Sequence, residues 1–211
     1  MANFFAQHRD ALNLTKQVAT PNQGFRAGQL GAMHAVLAHE SVHDDPAIVC
    51  LPTGYGKTSL MMALPLLLAA QRVLVVEPSD ALRRQVSSHF RELSTLRSIG
   101  AISNEVPNPR VLRLEGRPED AAAWEALAGQ DVVVTTAASA SPTLAPGARD
   151  DLFDLIIFDE AHHAPADTWA AFLAHFKKAR FVFLTATPFR RDGRVIPGKL
   201  VYRYPVTRAV E

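Results

Sequence analysis

Apolar residues gather along this chain in short runs, and most runs are apolar at every position instead of at alternate ones. Ala47–Leu51, Arg72–Val76, Val111–Leu114, Asp131–Thr135, Asp154–Phe158 and Arg180–Leu184 read as strands of this kind. A strand apolar on both sides is covered on both sides, the signature of a parallel sheet sandwiched between helices. Helical spacing marks Arg26–His39, Lys57–Ala70, Ser79–Leu96, Glu119–Ala128 and Ala166–Phe176 between them. Strand alternating with helix predicts an α/β, doubly wound, mostly parallel sheet whose ligands gather beyond the carboxyl ends of the strands. Ile99–Arg110 and Ser139–Asp150 read as surface loops, and Leu200–Tyr204 as a candidate edge strand. Pro65 should kink its helix or cost it a hydrogen bond. Residues 1–24 are expected to form a helix and lead-in loop ahead of one domain over residues 25–211.

Composition narrows the class. With 48% hydrophobic and 20% charged residues, the 211-residue chain can bury a sizeable core and is not disordered. Its 22 basic and 21 acidic residues nearly cancel, so any nucleic-acid surface has to be a local patch. Cys50 is the one cysteine, which excludes an internal disulfide and fits a reducing, cytoplasmic setting. The longest apolar run, Leu60–Ala70, falls well short of the roughly 20 residues that cross a bilayer. No membrane partner is expected.

Two segments carry chemistry. In Leu51–Thr58 (LPTGYGKT) a predicted strand turns into a predicted helix. Gly54 and Gly56 permit backbone angles that aim N–H groups at phosphate oxygens, with Thr53 and Tyr55 completing the loop. Lys57 would reach the β- and γ-phosphates of ATP, the Thr58 hydroxyl would ligate Mg²⁺, and the helix N-terminus adds its positive end. In Asp154–His162 (DLIIFDEAH) an apolar strand ends in two acids. Consecutive side chains at a strand tip point to different sides, so Asp159 can face Mg²⁺ while Glu160 orients and deprotonates water. His162 stands where it can couple the phosphate site to the rest of a motor.

These segments, followed by Leu184–Arg190 (LTATPFR), resemble the first RecA-like domain of superfamily 2 helicases, with DEAH-type restriction-enzyme motors of the type III kind nearest. The likeness runs from Phe25 to about Asp192. Leu51 stands where the general phosphate-loop pattern has Gly, a relaxation that suits a motor better than a small-molecule kinase. The resemblance implies further roles. Gln29, with Arg26 beside it in Phe25–Gln29 (FRAGQ), would recognise adenine. Pro78, Ser79 and Arg83 in Val76–Gln85 (VEPSDALRRQ), together with Thr135 and Thr136, would grip a nucleic-acid backbone. Thr185 and Thr187 would link nucleotide state to domain movement. DNA is favoured over RNA as the partner. A second RecA-like domain, in cis or in trans, would supply the arginine fingers for which nothing after Asp192 offers a counterpart, so the chain alone should turn ATP over very slowly. Two other classes stay open: an unrelated single-domain P-loop NTPase, and a non-catalytic binding module with a vestigial loop.

Overall fold

The computed structural model describes residues 3–17, 23–163, 166–187 and 196–205. In chain order the elements are α1 (Phe4–Gln7), α2 (Ala27–Glu40), β1 (Ala47–Cys50), α3 (Lys57–Leu67), β2 (Val73–Glu77), α4 (Asp80–Glu92) and α5 (Ser94–Ser98). They continue with β3 (Val111–Arg113), α6 (Ala121–Glu125), β4 (Val132–Thr136), α7 (Ala137–Ala140), β5 (Leu155–Phe158), α8 (Ala166–His175), β6 (Arg180–Thr185) and β7 (Lys199–Arg203). The strands form one seven-stranded sheet in the order β3-β4-β2-β5-β6-β1-β7. Every recorded pairing is parallel, more uniform than the mostly parallel sheet the sequence predicts.

Period two along each strand divides the core into two layers. Val73 and Val75 of β2, Leu155 and Ile157 of β5, and Val182 and Leu184 of β6 face the layer built with Met33 of α2, Leu60 and Leu64 of α3, and Phe90 of α4. Phe4 and Phe5 of α1 join the same layer. Leu74 and Val76, Ile156 and Phe158, and Phe181 and Phe183 face the opposite layer, with Trp124 of α6 and Trp169 and Phe172 of α8. There the ring of Phe158 meets Phe172 edge-on at a centroid distance of 5.1 Å. Burial of a large apolar side chain contributes about 1.5–3 kcal/mol, so these two layers dominate the stability of the sheet.

The amino-terminal ends of the strands are pinned by ionic contacts. The Asp154 carboxylate accepts from the Gln71 and Arg72 amides at 2.8 and 2.7 Å and pairs with Arg180 at 2.9 Å. Arg110 grips Asp131 through two nitrogens, at 3.1 and 2.8 Å. The loops beyond the carboxyl ends, held to these rigid strands, are left for function.

Element boundaries depart from expectation where the backbone turns left-handed. The helix expected over Ser79–Leu96 divides because Leu93 adopts φ +49°. The helix expected over Lys57–Ala70 passes Pro65 but stops at Leu67, ahead of Ala69 at φ +49°. The segment Glu119–Ala128 begins its helix only at Ala121, where Asp120 accepts from the Ala123 amide at 2.8 Å, and closes in a 3₁₀ turn. The loop expected from Ser139 begins inside α7.

Candidate nucleotide site at the carboxyl edge

The sequence between β1 and α3 folds as a tight phosphate-type loop. Its start is tied to β6 by the Leu51 amide on the Thr185 carbonyl, at 3.0 Å. Gly54 and Gly56 take φ +77° and +84°, a region that disfavours side chains. A Cβ on Gly54 would meet nothing within 4 Å, whereas one on Gly56 would lie 2.3 Å from the Gln29 amide nitrogen. That close approach is a bond: Gln29 Nε2 donates to the Gly56 carbonyl at 2.9 Å, while its Oε1 accepts from the Arg26 amide at 2.7 Å. Arg26 donates to the Gly54 carbonyl at 3.1 Å and lies 5.3 Å from the centre of the Tyr55 ring. The start of α2 therefore clamps the loop, and both polar ends of Gln29 are engaged in doing so. The Thr53 side of the loop is exposed, Thr58 is half-buried and Lys57 is buried.

From below, Tyr204 stacks on Tyr55 at 4.6 Å between ring centres. Burial and a hydrogen bond with Tyr204 push the Tyr55 hydroxyl up to about 12. Gly28 makes room, since a Cβ there would stand 2.6 Å from Tyr55 and 2.8 Å from Tyr204. The sequence reading included Tyr55 as a loop residue but missed Tyr204, whose only signal was its place at the end of the candidate edge strand.

Across β6, the tip of β5 presents the acids. The Asp159 amide still bonds the Val76 carbonyl at 3.0 Å, so its side chain stays in register with β2. Glu160 then takes φ +45°, costly for a residue with a Cβ and the kind of strain that gathers at functional sites. Its carboxylate receives the Lys57 ammonium at 2.6 Å and lies 3.4 Å from His162 Nδ1. His162 Nδ1 also bonds the Thr185 hydroxyl at 2.9 Å, and that hydroxyl donates to the Thr187 carbonyl at 2.7 Å. With the Thr185 proton directed to Thr187, the imidazole nitrogen is left as the donor. One chain of contacts thus runs Lys57–Glu160–His162–Thr185–Thr187.

Asp159 is pushed up to about 6, first by burial and further by Glu160, against the pull of Lys57. Its Oδ1 is buried without a hydrogen-bond partner. Glu77, which the sequence reading passed over, is raised well above the ordinary carboxylate range by burial and by Asp159 and Glu160. A signal existed: Glu77 follows the apolar Val73–Val76 as Asp159 follows Leu155–Phe158.

The residues expected to grip nucleic acid split into two groups. Pro78 and Ser79 are exposed, and Thr136 is half-buried. The Ser79 hydroxyl accepts from the Leu82 amide at 3.3 Å as the cap of α4. Arg83 and Thr135 are corrections. Arg83 is 4% exposed and turns inward to the Leu114 and Glu115 carbonyls, at 2.8 and 3.2 Å, because it lies on the face of α4 that packs on β3. Thr135 is fully buried, because β4 lies between β3 and β2 with both faces covered and only its last residue, Thr136, reaches the partly open tip. Arg84, the next residue, is the exposed one. Pro188, Phe189 and Arg190 of the last motif lie outside the described residues.

A parallel sheet with a glycine-rich loop after one strand and paired acids after another, two strands away, defines a RecA-like P-loop domain. The profile of the family described as "Type III restriction enzyme, res subunit" matches residues 22–190. The chain belongs to that family. It is 26% identical over 164 residues to the DNA 3'-5' translocase XPB2 of Sulfurisphaera tokodaii, covering 75% of this chain and 32% of the relative. Among solved structures it resembles a hypothetical ATP-dependent RNA helicase from Sulfolobus tokodaii, with TM-score 0.56, 24% identity, and coverage of 79% of this chain and 47% of the other. It likewise resembles a nuclease-deletion mutant of the type ISP restriction-modification enzyme LlaGI, solved with a DNA substrate mimic, with TM-score 0.58, 20% identity, and coverage of 89% and 20%. The chain thus spans about a third of the curated relative's length.

Proposed function

We propose that this chain is the ATP-binding first motor domain of a nucleic-acid translocase, coupling ATP hydrolysis to movement along DNA. The observation that carries the reading is the meeting of Lys57 with the acids of β5 beneath the glycine loop, at 2.6 Å from Glu160. Residues 25–211 make up that domain in this reading, and residues 1–24 lead into it. Asp159–His162 is its DEAH box, and the lone buried Cys50 suits a cytoplasmic setting.

The donor set fits Mg²⁺ and a triphosphate. The partnerless Asp159 Oδ1 and the half-buried Thr58 hydroxyl are hard oxygen ligands, and the positive-φ loop leaves open space at Gly54. Bound Mg²⁺ would neutralise charge on the phosphate oxygens. Within the chain, the Gly54–Lys57 backbone and the α3 N-terminus hold phosphate, and Lys57 leaves Glu160 to reach it. Released from its ion pair, the Glu160 carboxylate orients water and accepts its proton. His162 keeps Glu160 aligned and passes any shift to Thr185 and Thr187. Exposed Arg26 faces the entrance for adenine, and buried Gln29 reads the base edge by exchanging its bonds to the Arg26 amide and the Gly56 carbonyl. Pro78, Ser79 and Thr136 meet the nucleic-acid backbone, with exposed Arg84 adding charge. A second RecA-like domain completes the cleft, since arginine fingers are worth ~10³–10⁵ in rate.

Titration with a fluorescent ATP analogue tests the reading. Affinity should depend on Mg²⁺ and collapse in Lys57→Ala. Equal binding with and without the metal would sink it. Turnover by the isolated chain should be very slow, and brisk DNA-stimulated hydrolysis would remove the need for a second domain.

A further inference from the structure

Glu77 is the one described side chain with two buried carboxylate oxygens that both lack a hydrogen-bond partner. It is 1% exposed and lines a cavity of about 580 Å³ between the tips of β4, β2 and β5. That size falls within the roughly 300–1,000 Å³ of small-molecule sites. Val76, Phe158, Ala137 and Leu144 give the cavity apolar walls, and Leu144 is 50% exposed. Its described lining includes the acids Glu77, Asp80, Asp159 and Glu160 and no basic residue. Among the described residues the nearby cations hold other partners: Lys57 pairs with Glu160, Arg83 with two backbone carbonyls and Asp80, and exposed Arg117 with the Ala138 carbonyl. A buried carboxyl without a partner holds its proton unless a cation arrives to take the proton's place.

The geometry points to a binding site for an organic cation, an alkyl guanidinium or alkyl ammonium group, that sets its charge on Glu77 and its methylenes against Val76, Phe158 and Leu144. A bare metal ion suits it less, because among the described residues no three acid, His or Cys groups are placed to hold one. A nucleic-acid phosphate inside it would face four carboxylates. A seated cation would instead screen those acids from a phosphate chain passing Pro78, Ser79 and Thr136. This site goes beyond nucleotide binding and does not require turnover.

A free alkylguanidine and an arginine side chain share this chemistry, and calorimetric titration of the whole chain with agmatine and with acetyl-Gly-Arg-Gly-amide separates them. Saturable binding is expected, weakened about tenfold or more in Glu77→Gln, which keeps the shape, and unchanged in Asp151→Asn on a distant surface. Tighter binding of the peptide assigns the site to a polypeptide partner, and tighter binding of agmatine to a free base; either supports the proposal. Should Glu77→Gln fail to fold, Ala138→Phe at an exposed wall position blocks the cavity and should abolish binding. No saturation at millimolar concentrations, or equal affinity in wild type and both cavity variants, overturns the site. So does tighter oligonucleotide binding by Glu77→Gln in a protein that binds neither cation. Mg²⁺-ATP affinity, measured separately, keeps failure of this site distinct from failure of the nucleotide site.

Discussion

Two adjacent strand tips of the same make end in opposite electrostatic states. β5 runs Leu155–Phe158 and then delivers Asp159 and Glu160; β2 runs Val73–Val76 and delivers Glu77. Glu160 receives an ammonium at 2.6 Å, whereas Glu77 has no hydrogen-bond partner on either oxygen. The difference comes from topology. The loop after β1 carries its lysine across β6 to β5, and β2 lies one strand further away. Glu77 and Asp159 end matching apolar strands and both keep a partnerless buried oxygen, so only the second acid of β5, Glu160, lies within reach of that single loop.

The sharpest way to break this contrast is to remove the ammonium. Lys57→Ala should lower ATP affinity roughly tenfold to hundredfold and also lower the melting temperature at neutral pH, as Glu160 is left without its cation. Calorimetry reads both, and undiminished affinity would erase the distinction between the tips. Next comes pH. Both Asp159 and Glu77 sit above their ordinary values in the folded protein. Each therefore contributes stability that is complete below its unfolded value and is lost as pH rises. For Asp159 the window runs from 3.8 to about 6. For Glu77 it opens at 4.5 and extends higher. Denaturant unfolding across this range should show Glu77→Gln more stable than wild type at neutral pH by about 1–3 kcal/mol and less sensitive to pH. A wild-type slope retained in the variant would move the cost elsewhere.

Much of the lattice behind these tips was legible in advance. Continuous apolar runs announced strands covered on two sides, since hydrophobic period reports burial directly, while the partly exposed β7 lies within one residue of Leu200–Tyr204 on its β-branched and aromatic content alone. What stayed hidden depends on which way a side chain turns. Arg83 reads as surface charge on a helix, yet that helix packs on β3 and points it inward. Thr135 and Thr136 are alike in sequence and differ only in their distance from the carboxyl tip of one strand. The clamp of Gln29 on Gly56 and the stack of Tyr204 on Tyr55 join residues far apart in the chain, which no local pattern encodes.

Smaller effects sharpen the comparison on its compensated side. Tyr204→Ala removes the stack beneath the loop and should cost about 1 kcal/mol of stability with a several-fold loss of nucleotide affinity. Loss of stability without loss of affinity would show that the ring supports the sheet and not the loop. Ser79→Ala deletes an exposed cap bond at 3.3 Å, and about 0.5 kcal/mol is expected from thermal unfolding. A larger loss would mean that the tip of β2 depends on its helix more than the geometry indicates.

The outermost strand, β7, has a further consequence. It pairs with β1 on one flank, and among the described residues no strand lies on its other flank. Such a border offers spare amides and carbonyls to any extended chain and is a common seed of aggregation. Here Pro197 and Pro205 bracket the strand, each lacking a donor, and Lys199 and Arg203 place like charges at its two ends. A second copy approaching in parallel register would set Lys199 against Lys199 and Arg203 against Arg203, a like-charge cost to edge-to-edge pairing.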